Sequence, residues 1–152
     1  MSDDLKPGLG TTLATTVTLP ANQLLATYEA LTGWAVVGEV TDIPSFGPAH
    51  EVVSHVPLAT GITAKYHGAI NNGSLTIPMA LDYNDAGQLA LKTAMANRDR
   101  VSFRIVYADG TTDYFLGKVF SFTRSASIGS VVMAEVVIEV ETAIVEDLTP
   151  TP

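Results

Sequence analysis

The sequence predicts a mainly β fold, a β-sandwich or barrel with a flanking α-helix. Three observations carry this. Residues 100–142 contain three segments with apolar side chains at every second position, the pattern of strands with one buried face. Glycine turns at Asp109-Gly110 and Ile128-Gly129 separate these segments. A well-capped helix of about three turns, residues 85–97, precedes them. Strands outnumber helices, which favours a sheet-based core with helix at its side.

Taken in order, residues 1–10 hold Pro7, Gly8 and Gly10 and are expected to form a flexible N-terminal arm. Residues 11–19 are rich in Thr, Leu and Val and read as a strand with Leu13, Val17 and Leu19 on one side. Pro20 ends it. In residues 21–31 the apolar spacing of Leu24, Leu25, Tyr28 and Leu31 becomes helical, with Gly33 where a C-cap belongs. Residues 34–41 read as a strand in which Gly38 marks a bulge or a close approach. The run DIPSFGP turns, and residues 51–56 form a short strand.

Residues 57–73, PLATGITAKYHGAINNG, are polar and glycine-containing and read as one long loop. Loops of this length in compact domains are functional or mobile. Residues 74–81 alternate cleanly, with Leu75, Ile77, Met79 and Leu81 on one face; Pro78, which lacks an N–H, places this strand at an edge or a bulge. Asp85 is an N-cap, with Gln88 three residues on to complete a capping box and an Ala/Leu run ending near Asn97. Residues 100–107 put Val101, Phe103, Ile105 and Tyr107 on one face. After the Asp109-Gly110 hairpin, residues 112–124 put Tyr114, Leu116, Phe120 and Phe122 on one side, interrupted by Lys118. In residues 131–142, Val132, Ala134, Val136, Ile138 and Val140 face one way, and Met133, Glu135, Val137, Glu139 and Glu141 the other. A single domain over residues 11–145 is expected, with 146–152 as a short tail.

Composition narrows the function. Zero cysteines exclude disulfides and thiolate chemistry. Sixteen acids against eight bases argue against an ordinary nucleic-acid surface, which needs clustered Lys and Arg. Residues 130–152 contain no base at all. The plain reading of the acidity is that it keeps a chain that is 47% apolar soluble. No stretch approaches the ~20 apolar residues of a spanning helix, and the N-terminus lacks the basic start and apolar run of a secretory signal. A soluble protein made in the cytoplasm, with no membrane partner, is expected.

No site chemistry emerges. His50, His55 and His67 lie five and twelve residues apart, which matches no zinc signature. Ser54-His55 with Glu51 lacks a G-x-S-x-G elbow. Glu139 and Glu141 sit about 7 Å apart on one strand face, as carboxylates on a solvated face do. The catalytic, metal and cofactor sets are therefore all expected to be empty.

The blocks VGEVTDIPSFG (37–47), NGSLTIPMALDYNDAGQLALKTAM (72–95) and FRIVYADGTTDYFLGKVFSFTRSASIGSVVMAEVVIEVE (103–141) resemble the tail tube proteins of long, non-contractile-tailed phages. Among these is the N-terminal, polymerising domain of the phage lambda tail tube protein. The resemblance runs from about Trp34 onward and lies in the joint order of the pieces. It implies the β-sandwich shared with the tubes of contractile tails and type VI secretion systems, and a non-enzymatic structural protein of the virion. Six copies would form a ring whose sheets join into an inner barrel. Rings would stack around a tape-measure protein, meet tail terminator and tail-tip proteins, and pass DNA through the lumen without reading its sequence. The immunoglobulin-like extension of some relatives is not expected after Pro152.

Under this reading the long loop is the candidate ring-stacking element, through Thr60, Gly61, Ile62, Thr63, Lys65, Tyr66, His67 and Asn71. Glu135, Glu139 and Glu141 are the candidates for lumen-facing acids, giving a wall along which DNA slides. A tube subunit of a phage-like bacteriocin or secretion system, and a monomeric ligand-binding β-domain, are the alternatives.

Overall fold

The computed structural model describes Leu5 and residues 7–149. In chain order these form β1 (Thr12–Thr16), α1 (Leu25–Glu29), β2 (Ala35–Val36), β3 (Ala49–His55), β4 (Ala64–Asn71), β5 (Ser74–Ala80), α2 (Ala86–Asn97), β6 (Arg100–Val106), β7 (Thr112–Ser125), β8 (Met133–Val140) and β9 (Val145–Asp147). The fold is mainly β with a flanking helix, as expected. Seven strands make one antiparallel sheet in the order β2-β1-β6-β7-β8-β5, with β9 added on β7; β3 and β4 pair only with each other.

The alternating segments bury the faces their sequence assigns. Leu75, Ile77 and Met79 of β5, Val101, Phe103 and Ile105 of β6, and Ala134, Val136, Ile138 and Val140 of β8 share one core. Leu91 and Ala94 of α2 join it. Phe103 and Phe115 stack at its centre, with ring centroids 5.3 Å apart. The β6–β7 hairpin closes at Asp109-Gly110, where Gly110 takes a φ of 92° and Asp109 Oδ1 accepts from the Thr111 N–H. Pro78 lies on the edge strand β5. Its carbonyl accepts from the Thr41 N–H on the outer side, so its missing donor points away from β8 and costs no ladder bond.

The two ends of the sheet are tied together by the short segment after β2. The Val37 N–H donates to the Leu13 carbonyl on β1, and two residues later the Glu39 carbonyl accepts from Ala80 on β5. Two residues span at most about 7 Å, whereas four strand steps in a flat sheet cover about 19 Å. The sheet must therefore curl into a barrel. The start of α2 clamps this closure. The Gly38 N–H donates to Asp85 Oδ2 at 3.0 Å, and Gln88 Nε2 donates to the carbonyls of Gly38 and Ala80 at 3.1 and 2.9 Å. Gly38 is thus a close-approach position: a Cβ there would lie 2.7 Å from Asp85 Oδ1.

Several expectations change. The first strand stops at Thr16, whose Oγ1 donates to the Thr32 carbonyl, leaving Val17 and Leu19 exposed. The first helix shrinks to five residues, because Asn22 Oδ1 accepts from the Leu24 N–H and holds the preceding residues in a turn. The strand expected over 34–41 shortens to Ala35–Val36, since Glu39 takes a φ of 61°. The alternation of β7 breaks at a register shift between Val119 and Ser121. Tyr114 and Leu116 consequently pack with Tyr28, Phe122 enters the main core, and Phe120 is exposed. β9, absent from the sequence reading, pairs with β7 across the boundary expected at 145/146. Of the expected terminal segments, residues 1–4, 6 and 150–152 lie outside the described residues.

The capping box forms by half. The Asp85 carboxylate accepts from the Gln88 N–H at 2.9 Å, but Gln88 Oε1 accepts from Asp82 instead of Asp85. The helix ends on Arg98 in left-handed geometry, φ 58° and ψ 34°. Glycine tolerates that geometry without strain, so Arg98→Gly is expected to raise stability by up to about 1 kcal/mol, read as a higher urea midpoint at unchanged slope.

Candidate assembly surfaces

The segment read as a loop is a β-ribbon. Residues 64–71 form β4, antiparallel to β3, and only 56–63 remain as a connecting tip. Neither strand packs on the barrel: every residue of β3 is exposed, and only Ala64 and Gly68 of β4 are half-buried. The candidate stacking residues divide accordingly. Thr60, Gly61, Ile62 and Thr63 occupy the tip, where the Gly61 N–H bonds the Pro57 carbonyl. Lys65, Tyr66 and His67 lie along β4, opposite Ser54, Val53 and Val52. Asn71 sits at the root, its Oδ1 accepting from the Gly73 N–H. The ribbon exposes Val52, Val53, Tyr66 and Ile70 on its strands and Leu58 and Ile62 at its tip. An isolated two-stranded ribbon is marginal in water, and apolar side chains on both faces mark a surface that needs a partner.

The outer face of the barrel sheet is half covered. Over β6, β9 and the start of β7, the α1 region lays down Tyr28, Leu25, Leu31 and Trp34. Tyr28 stacks on Tyr114 at 5.3 Å, and the Arg104 guanidinium sits 4.7 Å from the centre of the Trp34 ring. Over β5, β8 and the end of β7 the face is bare, with rows Ser74–Glu139–Lys118, Thr76–Val137–Ser121 and Pro78–Glu135–Thr123. Glu135 and Glu139 are exposed there. Glu141 differs: it is half-buried and ion-paired to Arg100 Nε at 2.7 Å and Lys118 Nζ at 3.4 Å. Three acids therefore meet two bases, and the face is less negative than the carboxylates alone imply.

A groove of about 980 Å³ opens at the root of the ribbon, between residues 7–11, the 40–48 turn, Tyr107, Asp113, Ile144 and Glu146. The Tyr107 hydroxyl donates to Asp113 Oδ2 at 2.6 Å. Burial, then this bond and the Asp113 and Glu146 charges, hold that phenol far above its ordinary value. Burial likewise raises Tyr28 and Tyr114. Above about pH 10 the unfolded chain releases these protons while the folded chain keeps them. Stability is thus expected to be intact below that pH and to fall as pH rises further. Urea midpoints between about pH 8 and about pH 11, followed with tyrosinate absorbance, would check this.

Among the described residues no group of three or more His, Asp or Glu side chains is placed to hold a metal. His50 and His67 come together on one ribbon face with ring centroids 5.0 Å apart. His55 pairs with Ala64 near the tip. No helix among the described residues is long and apolar enough to cross a membrane.

No protein-family model matches the sequence, and no curated protein matches it. Solved structures do. The SPP1 tail tube superposes with a TM-score of 0.65 at 14% identity, covering 95% of this chain and 81% of that one. A sheath/tube terminator of the extracellular contractile injection system PVC gives 0.67 at 7% identity, covering 97% and 99%. A chain of the anti-feeding prophage baseplate gives 0.67 at 11%, covering 96% and 97%. This chain therefore has the fold found in the SPP1 tail tube, in the PVC sheath/tube terminator and in the anti-feeding prophage baseplate.

Proposed function

We propose that this chain is the structural, non-enzymatic subunit of a phage tail tube. Copies join side by side into six-membered rings, and the rings stack into a hollow tube. The tube encloses a tape-measure protein, ends on terminator and tip proteins, and conducts DNA; it is part of the virion and is made in the host cytoplasm. The observation that carries this reading is the β3–β4 ribbon, exposed along both strands and tipped by apolar residues, on a barrel of tail tube fold. A surface of that kind on one copy meeting a different surface on the next makes a heterologous contact, which closes into rings or propagates into filaments. The bare β5-β8-β7 face, with Glu135 and Glu139, is the proposed lumen wall; partial neutralisation of Glu141 leaves it polar and weakly acidic, so DNA is repelled gently.

A second reading is favoured by the equally good superposition on contractile injection system proteins: the same tube subunit serving a phage-like bacteriocin or secretion apparatus.

Excising the whole ribbon, residues 49–71, tests the assembly reading. Ala49 and Asn71 are cross-strand partners, so a short Gly-Ser link can rejoin the root. The shortened chain is expected to keep its circular dichroism and thermal midpoint within a few degrees, because the ribbon contributes nothing to the core. It is expected to lose tube formation entirely in negative-stain micrographs. Tubes of normal length from this variant would refute the role of the ribbon.

A further inference from the structure

The ribbon and the groove at its root are matched in chemistry, and we propose that the groove of one copy is the socket for the β3–β4 ribbon of another copy. This rests on the tube-subunit reading and adds the identity of the receiving surface.

The groove is apolar along Leu9, Ile43, Pro44, Phe46 and Ile144, and acidic at Asp42, Asp113 and Glu146. No Lys, Arg or His occurs among its described lining residues. Two of the acids are placed against each other: Asp113 on β7 is the direct cross-strand partner of Glu146 on β9. Like charges at directly opposed positions destabilise a strand pair, and an arriving cation relieves that repulsion. Asp113 Oδ2 also accepts from the Tyr107 hydroxyl at 2.6 Å, and burial first, then this bond and the Asp113 and Glu146 charges, raise that phenol.

The ribbon is far less acidic than the groove. It carries Lys65 against one acid, Glu51, so with its three histidines neutral it has no net charge where the groove holds three carboxylates. Its exposed Val52, Val53, Tyr66 and Ile70 offer the apolar surface that the groove walls can bury.

The geometry requires a second copy. Phe46, Gly47 and Pro48 line the groove and lead directly into β3, so socket and ribbon share a root. Strands of seven and eight residues at about 3.3 Å each put the tip roughly 20–25 Å from that root. A paired ribbon cannot fold back on itself over that distance. Ribbon into socket is a head-to-tail contact between unlike surfaces, and it leaves each added copy with a free ribbon and a free socket for the next.

The test uses the full chain under conditions where it assembles. A zero-length carbodiimide cross-link on a mixture of unlabelled and nitrogen-15-labelled copies should join Lys65 of one copy to Asp42, Asp113 or Glu146 of another. Lys65→Glu and Glu146→Lys are each expected to lower polymer yield at least about tenfold, and the double variant to recover most of it. Glu146→Lys removes a like-charge pair, so the fold should survive it, with circular dichroism as the check. Lys65 linked instead to Glu135 or Glu139, or full polymer yield from Glu146→Lys and Asp42→Lys, would overturn the socket while leaving the tube reading standing. A wild-type chain that stays monomeric at every concentration would overturn both.

Discussion

Gly87→Val is expected to unfold the domain or leave it a collapsed, loosely packed remnant. Gly87 is buried in the first turn of α2, where the helix lies directly on the backbone after β2. A methyl group built on it would overlap the Val36 carbonyl oxygen and lie 2.5 Å from the Val37 Cα and 2.6 Å from the Val36 carbonyl carbon. These are backbone atoms without a rotamer to change. They belong to the segment that hydrogen-bonds to Leu13 on one side and leads to Ala80 on the other, so moving them opens the barrel. Overpacking against yielding side chains costs about 1–3 kcal/mol; against a fixed backbone the cost should reach at least about 4 kcal/mol, much of the 5–15 kcal/mol that holds a domain together. Gly8→Ala, with nothing within 4 Å of its new methyl, is the control. Urea titration of both variants reads the outcome, and a Gly87→Val midpoint close to wild type would show that α2 can lift off without opening the barrel.

The position of Gly87 explains why parts of this sequence are legible and others are not. Alternation reveals a strand only when one of its faces is buried. Leu75-Ile77-Met79 and Val136-Ile138-Val140 announce themselves because each lies between solvent and the core. Ala64-Lys65-Tyr66-His67-Gly68 does not, because β4 buries neither face and Ala64, Lys65 and Gly68 are poor strand formers. A ribbon exposed on both faces hides from a reading that looks for one buried face. The bulge at Phe120 is similarly silent, since the residue that shifts register is a good strand former like its neighbours. β9 is too short for any pattern to accumulate.

The candidate surfaces were legible to a different extent. The placement of Glu135 and Glu139 away from the core follows from parity alone, and they stand on the exposed face. The pairing of Glu141 with Arg100 and Lys118 spans three strands and could not be read from spacing. The motifs that carry the family resemblance turn out to meet in space. Gly38 of the first block and Asp85, Gly87 and Gln88 of the second are the residues that close the barrel. Their order along the chain is therefore the record of one contact, made across 47 residues between Gly38 and Asp85.

Gln88 tests that contact by chemistry rather than by size. Its side chain is 1% exposed and makes three bonds: Oε1 accepts from the Asp82 N–H at 3.0 Å, and Nε2 donates to the Gly38 and Ala80 carbonyls. Gln88→Leu keeps the volume and leaves two carbonyls and one N–H without their partner. A loss of about 3 kcal/mol is expected. Gln88→Glu separates hydrogen bonding from packing. One carboxylate oxygen can still accept from Asp82, but the other then faces two carbonyl oxygens where the amide had donated. Ionisation is disfavoured in the folded chain, so the new carboxyl must titrate above its unfolded value of about 4.3. Between those two values the folded state holds the extra proton, and stability relative to wild type falls as pH rises through the window. Below it the protonated carboxyl donates to one of the carbonyls and most of the deficit disappears. Urea midpoints of Gln88→Glu and wild type at about pH 4 and about pH 7 should therefore differ little at the lower pH and clearly at the higher. A deficit that does not change with pH would mean that Gln88 acts by filling space, and that the closure is held by Asp85 and the backbone bonds alone.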